Sequence, residues 1–278
     1  MRFINLVEKN GESPYLTKVF NYLNQFYDDD TVLIARVWNQ ECNVGECKNF
    51  ISIITSAEGH RLIPHEAERL HPRCLGVFMH YYPKQVEKVE DQFNPDGFLN
   101  IQNVYPLQLG PHNFAGNSDK PILERQYNVS FIGQLDPHVR SDLYYTMCNT
   151  SIPDSKIIFY EGWNKGLGRE EYGKIMSDTK IALVPCGSAS HDTFRFYEAC
   201  EAGCAILTLK QNNYEFMQGS PHIEIPSWGD VSKYIDYLLN RPEKLAELSE
   251  KTKSFWNNNL CPEAAAKFML KKLGVKYE

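Results

Sequence analysis

No uninterrupted apolar stretch in this sequence approaches the roughly 20 residues needed to cross a bilayer. The opening octet, Met1 to Glu8, is a short apolar run that ends in charge, without a signal-peptide core or a cleavage site. A soluble, cytoplasmic protein with no membrane span is expected. Positive charge is scarce too, with 29 Lys and Arg against 35 Asp and Glu and a formal net charge of -6. A phosphate-tracking nucleic-acid binder usually carries a basic surplus or stripe, so nucleic acid is not an expected partner and a small polar substrate fits better. The eight cysteines are scattered along the chain, several inside apolar runs, unlike a small disulfide framework. Cys42 and Cys47 form a close pair, but no second Cys/His pair follows at structural-zinc spacing. Gly162, Gly166, Gly168 and Gly173 form neither phosphate-binding glycine fingerprint, because no Lys-Ser/Thr follows and the spacing is wrong. Internal repeats and low-complexity tracts are absent as well.

What remains is 278 residues, 42% hydrophobic and 23% charged, the balance of a globular protein with a sizeable core in one large domain or two. Short β-rich runs span Arg2 to Val7, Thr31 to Val37, Phe50 to Thr55, Cys74 to His80 and Phe98 to Val104. An amphipathic helix is predicted from Pro14 to Phe26, with Ser13 as its cap and Pro14 in the first turn, where a missing N–H costs nothing. Strands separated by helices imply parallel pairing through crossovers, hence an α/β domain. Tyr105 to Asn113 and Gly116 to Pro121 are rich in Pro, Gly and Asn with little periodicity, as expected at a domain boundary. A second alternation follows: strand Asn128 to Gly133, helix Ser141 to Cys148, strand Lys156 to Tyr160, helix Arg169 to Ser177, strand Lys180 to Pro185, helix Thr193 to Ala202 and strand Cys204 to Leu209. Helices near Val231 to Leu239, Glu243 to Phe255 and Pro262 to Leu273 close the chain. The expected domains are residues 1–112 and 113–258, with a terminal helix over 259–278 crossing back to the first.

The segment Lys180 to Leu207 carries the most chemistry. It reads as strand, small-residue loop, helix, glycine stop and strand. Open α/β sheets bind ligands beyond the carboxyl ends of their strands, and a loop entering a helix offers unpaired N–H groups to an anion. A diphosphate fits there. On that helix Arg195 and Glu198 stand at i, i+3 on one face, with Phe196, Ala199 and Cys200 on the other. A forked guanidinium neutralises phosphate oxygens, and a carboxylate accepts from two vicinal ribose hydroxyls. The same spacing also describes an ordinary surface ion pair.

This stretch resembles the C-terminal signature of exostosin-like glycosyltransferases (glycosyltransferase family 47). The residues that carry the likeness are Val184-Pro185, Gly187, Thr193-Phe194-Arg195-Phe196, Glu198-Ala199 and Gly203-Cys204. Thr193 replaces the usual Ser and keeps the hydroxyl, whereas Cys186 stands where an Arg is often found. The likeness extends more weakly to Phe131-Ile132-Gly133-Gln134, to Arg140 and to Tyr160 through Ser177, roughly the C-terminal half. It implies the α/β GT-B arrangement of two Rossmann-like domains facing a cleft, with a nucleotide-sugar-binding second domain, an acceptor-binding first domain and a UDP-sugar donor. Within it, Gly133 would permit close backbone approach and Arg140 and Arg195 would hold the diphosphate. Thr193 would donate its hydroxyl and Glu198 would hold the ribose, with Pro185, Gly187, Ser190 and Phe194 completing the donor-binding set. The size is similar to that of small viral exostosin-like xylosyltransferases, which makes UDP-xylose the first donor to expect and an oligosaccharide or glycoprotein glycan the acceptor.

Inverting transfer needs a base on the face opposite the leaving group. Ser56-Ala57-Glu58-Gly59-His60 follows a strand, and its Ser-x-Glu turn faintly resembles the catalytic loop of α1,3-fucosyltransferase-type enzymes. Glu58 is the first candidate, followed by His60 and by His80, which closes another strand ahead of Tyr81 and Tyr82, aromatics suited to stacking on a sugar. Each can equally be an ordinary strand-end residue. Asp28-Asp29-Asp30 matches the metal-holding Asp-x-Asp pattern but precedes a strand instead of following one, so a solvated turn and no metal are expected. Tyr160 and Trp163 either stack on the donor base or pack on their own loop. The rival readings are a phosphorylase or epimerase on the same fold, or an inactive carbohydrate- and nucleotide-binding module.

Overall fold

The computed structural model describes residues 1–7, 13–37, 40, 46–55, 63–84, 96, 98–112, 118–136, 138–162, 165–188 and 190–277. The chain forms two compact units: Met1–Gly110 with Tyr214–Phe216 and Asn259–Glu278, and Pro111–Asn213 with Met217–Asn258.

The first unit is built on a parallel sheet of β1 (Arg2–Asn5), β2 (Thr31–Val37), β3 (Asn49–Thr55), β4 (Cys74–Met79) and β5 (Val104–Pro106), paired in sequential order. β2 and β3 are almost wholly buried, the pattern of parallel strands covered on both faces. Helix α1 (Ser13–Leu23) buries Tyr15, Leu16, Val19 and Leu23 along one stripe. It packs against the terminal helix α8 (Pro262–Lys272), and the Tyr15 hydroxyl donates to the Leu260 carbonyl at 2.7 Å. A four-residue helix, α2 (Glu66–Arg69), precedes β4. The strand expected over Phe98 to Val104 forms instead at Val104–Pro106. Asn103 adopts a left-handed φ of 60°, which no strand tolerates, so extended pairing starts one residue later. The pairing then runs into the supposed linker: the Leu107 N–H donates to the Met79 carbonyl at 2.8 Å, and Leu107 and Leu109 are buried. The Asp28–Asp30 trio is exposed in the turn before β2, where the Thr31 hydroxyl donates to the Asp28 carboxylate at 3.0 Å.

The second unit carries β6 (Tyr127–Gln134), α3 (Ser141–Cys148), β7 (Ser155–Tyr160), α4 (Arg169–Ser177), β8 (Thr179–Val184), α5 (Phe194–Glu201), β9 (Ala205–Thr208), β10 (Ile223–Glu224), α6 (Val231–Leu239) and α7 (Pro242–Phe255). All its strands are parallel, in the order β10-β9-β8-β6-β7. From β6 the chain moves outward to β7 and then returns to the other side of β6 as β8. That reversal makes the carboxyl ends of β6 and β8 a topological switch point, the place where open α/β sheets take ligands. Val129, Phe131, Ile181, Leu183, Ala205 and Leu207 form one core with Leu143 and Met147 of α3, Val231, Ile235 and Leu238 of α6, and Leu245 and Leu248 of α7.

Helix α5, which follows β8, is braced at its far end. Gly203, at φ 65°, reverses the chain so that the Cys204 N–H reaches the Ala199 carbonyl and the Gly203 N–H reaches that of Cys200, a Schellman closure. The fully buried Arg125 guanidinium donates from Nη2 to the Ala202 carbonyl at 2.7 Å and from Nη1 to that of Thr179 at 2.8 Å. The Ser249 hydroxyl donates to the Gly203 carbonyl at 2.7 Å. A buried carbonyl stripped of its donor costs about 1–3 kcal/mol. Arg125→Met should therefore lower unfolding stability by about 3 kcal/mol, and Gly203→Ala, strained in φ and pressed against Lys253, by about 1–2 kcal/mol in urea titrations.

Candidate functional site

Three segments meet at the reversal: the end of β6, the start of α3, and the loop that joins β8 to α5. Arg140, next to the first residue of α3, ties two of them together. Its Nη1 donates to the Gln134 carbonyl at 2.8 Å and its Nε to that of Cys186 at 3.1 Å. Arg195, in the first turn of α5, donates from Nη2 to the Ile132 carbonyl at 2.6 Å and lies 4.7 Å from the centre of the Phe131 ring. Gly133 makes this possible, since a Cβ there would stand 2.4 Å from Nη2. In this structure the group that uses the space above Gly133 is the Arg195 side chain.

Two guanidinium groups thus lie at one strand end. Burial and the charge of Arg195 push the Arg140 guanidinium down to about 10, with Asp136 acting in the opposite direction. Burial disfavours ionised Asp136, yet the Ser188 hydroxyl, the His138 N–H and Arg140 together hold its carboxyl below the usual range. The first turn of α5 has no acidic residue to use the helix's positive end. Beside it, Thr193 Oγ1 and Arg195 Nε are buried with no hydrogen-bond partner among the described residues. Buried donors of this kind are costly unless a ligand satisfies them.

The loop itself is tied down internally. The Gly187 N–H donates to the Ser190 carbonyl at 2.8 Å, and Ser190 Oγ accepts from Asn212 Nδ2 at 3.0 Å and from the Asp192 N–H at 3.1 Å. Pro185 is buried where β8 ends, and the Phe194 ring packs on His112 at 5.2 Å. Glu198 lies one turn further along α5. It is 2% exposed, so the surface ion pair that its spacing with Arg195 suggested does not describe it. Its Oε2 accepts from the Tyr172 hydroxyl of α4 at 2.5 Å.

Tyr172 was not identified from the sequence, because nothing in a helical stretch marks which residue meets a helix 26 positions away. Arg125 was missed for the same reason. Tyr160 closes β7, and its ring packs under Gly166, where a Cβ would sit 2.7 Å from it, so it serves its own loop. Trp163 lies outside the described residues, as do Glu58 and His60. His80 directly follows β4 and is fully buried, its backbone N–H donating to the Ile54 carbonyl at 3.0 Å. Tyr81 and Tyr82 are buried too, Tyr81 at a left-handed φ of 52° and Tyr82 donating to the Val104 carbonyl at 3.2 Å. Among the described residues no group of three or more His, Cys, Asp and Glu side chains is placed to hold a metal ion, and no helix is long and apolar enough to cross a membrane.

No protein-family model matches the chain, and no curated protein matches it. Solved structures do. Anabaena Alr3699/HepE, in complex with UDP and glucose, superposes with a TM-score of 0.56 at 9% identity over 99% of each chain. An α-glucosyltransferase in complex with UDP-glucose and DNA containing an abasic site gives 0.52 at 11% identity, over 94% of this chain and 84% of its own. The fold is of the GT-B type, with two Rossmann-like parallel-sheet units. A GtfA/B complex matches at 0.47 and 13% identity, over 93% of this chain, which spans 60% of that neighbour's length.

In a GT-B unit of this topology the strand reversal, Arg140, Arg195 and the start of α5 all point to an anion. Inorganic diphosphate at a hundredfold excess over its Kd should stabilise the protein by about 2.7 kcal/mol in thermal unfolding. Arg195→Ala should remove most of that gain, and Gly133→Ala should reduce it by displacing the guanidinium. An unchanged shift in the Arg195 variant would exclude the site.

Proposed function

We propose that the protein is a glycosyltransferase that moves a sugar from a UDP-sugar to a carbohydrate hydroxyl, with inversion at the transferred carbon. The observation that carries this is the pair of guanidinium groups at the β6/β8 reversal, beside a buried threonine hydroxyl without a partner among the described residues and a carboxylate one helical turn away. UDP in one structural neighbour and UDP-glucose in another support a uridine-linked donor. Arg140 and Arg195 take the diphosphate, Thr193 donates its hydroxyl to it, and Glu198 accepts from the ribose. Gly187, Ser190 and Pro185 shape the loop, and Phe194 lines its end. The second unit, close to the expected residues 113–258, is the donor domain, and the first, close to 1–112 with the terminal helix over 259–278, is the acceptor domain, Tyr214–Phe216 belonging to the first unit.

In the reaction a base takes the proton of the acceptor hydroxyl, whose oxygen attacks the anomeric carbon as the bond to the diphosphate oxygen breaks. Negative charge then grows on the departing UDP, where Arg140, Arg195 and the positive end of α5 stabilise it more than they did the bound donor. Glu58 is the base assigned first, with His60 next. His80, which follows β4, also stands behind Glu58. Xylose is the first sugar to test, on an oligosaccharide or glycoprotein glycan.

A panel of nucleotide sugars, screened by thermal shift and then assayed for transfer, tests the reading. A UDP-sugar should give the largest shift, and the anomeric configuration of the product, read by NMR, should be inverted. Arg195→Ala and Glu198→Ala should each weaken UDP binding by about 2–5 kcal/mol in calorimetry, much of it the cost of leaving partners unpaired. Glu58→Gln should abolish transfer and leave UDP affinity unchanged. Full turnover in that variant reassigns the base, and retained configuration overturns the inverting mechanism.

A further inference from the structure

Tyr172 is a residue to which nothing above gives a role. It sits on the buried face of α4, its N–H donating to the Gly168 carbonyl at 2.9 Å and its ring enclosed. Its hydroxyl donates to Glu198 Oε2 at 2.5 Å, short even for an O–H···O bond. Packing alone would be satisfied by phenylalanine. What the hydroxyl adds is a fixed partner for a carboxylate whose chain has three rotatable bonds, and holding such a side chain in one rotamer costs conformational entropy. A partner that is itself buried meets that cost before any ligand arrives. Burial and the negative charge of Glu198 hold the Tyr172 phenol well above its ordinary pKa, with Arg195 pulling the other way. It is therefore a donor throughout the working pH range. The Tyr172 phenol lies within electrostatic reach of both Glu198 and Arg195, so it belongs to the same cluster as the proposed diphosphate contact.

We propose that Tyr172 is a positioning residue that aims the Glu198 carboxylate at the vicinal hydroxyls of a ribose, and so makes the site select ribonucleoside diphosphates over their 2′-deoxy and 3′-deoxy counterparts. The inference rests on the donor-site reading above and deepens it. Tyr172 touches no ligand itself. Its effect passes through Glu198, so removing its hydroxyl should affect recognition of the sugar hydroxyls and leave recognition of the phosphates unaffected.

Calorimetry on the full chain separates these effects, using UDP, 2′-deoxy-UDP, 3′-deoxy-UDP and inorganic diphosphate as probes against the wild type, Tyr172→Phe and Glu198→Gln. The wild type should bind UDP about tenfold or more tightly than either deoxy analogue, the size of one hydrogen bond to a charged group. Tyr172→Phe should weaken UDP about tenfold, leave diphosphate affinity unchanged and bring the UDP and deoxy-UDP affinities close together. Glu198→Gln should do the same. Equal loss for UDP and diphosphate in Tyr172→Phe marks a merely structural residue and overturns the proposal, as does undiminished ribose selectivity in that variant. If the Phe variant does not fold, the wild type alone still decides against the idea when it binds deoxy-UDP as well as UDP. Absence of UDP binding, or an inert Glu198→Gln beside a selective wild type, instead defeats the donor-site reading beneath it.

Discussion

The geometry of the second unit depends on one buried cation that is not at the site. Arg125 sits wholly inside the protein, and its guanidinium donates to the carbonyls of Thr179, at the start of β8, and Ala202, at the end of α5. A lone buried charge would be prohibitively costly, but here the carbonyl end of a helix supplies the negative potential and the hydrogen bonds that offset it. With its far end held in this way and its exit turned by Gly203, α5 has little freedom to slide along the sheet. The position of its first turn, and with it Thr193 and Arg195, follows from that restraint.

The near end of α5 shows the opposite condition. Arg195 and Arg140 bond to backbone carbonyls in the contacts described above, and the charge of Arg195 disfavours that of Arg140. Thr193 Oγ1 and Arg195 Nε are buried without partners among the described residues. A folded protein keeps such an arrangement where function needs it and stability elsewhere offsets it. The Arg195 guanidinium lies across Gly133 on the Phe131 ring, so this glycine's lack of a side chain is used by the protein before any ligand is. An incoming diphosphate would meet donors already aligned, without waiting for a flexible side chain to be ordered.

Much of this fold was legible because parallel strands and amphipathic helices leave strong local patterns. β2, α3, α4 and α6 fall on the predicted residues, and most of the remaining strands lie within a residue or two of them. β5 did not, because a left-handed Asn103 breaks a run whose composition reads as strand. The strand, loop and helix from Lys180 to Glu201 were legible as elements, whereas the spacing of Arg195 and Glu198 alone suited an ordinary surface ion pair, and it was the likeness to a family signature that drew attention to them. Arg125 and Tyr172 were not. The contacts of Arg125 lie 54 and 77 residues away and that of Tyr172 lies 26 away, and no periodicity encodes a pairing between separate elements. The burial of His80 was equally hidden, since a polar residue directly after a strand looks the same in sequence whether it meets solvent or core.

The two units also differ in how far topology alone can point to a site. In the second, the strand order reverses between β6 and β8, so the chain diverges to either side of the carboxyl ends of those strands, the place where open α/β sheets take ligands. Any polar residue at those ends is a candidate for ligand contact before its partners are known, and Arg140 and the β8–α5 loop qualify. The described strands of the first unit pair in straight sequential order, β1 to β5, and no such divergence singles out one strand end over another. Residues following β3 and β4 are then equivalent in their claim on any ligand, and only their own chemistry ranks them. Under the proposed function, a donor site set by the path of the chain and an acceptor side set by loops would let the nucleotide contact stay fixed while the recipient of the sugar changes.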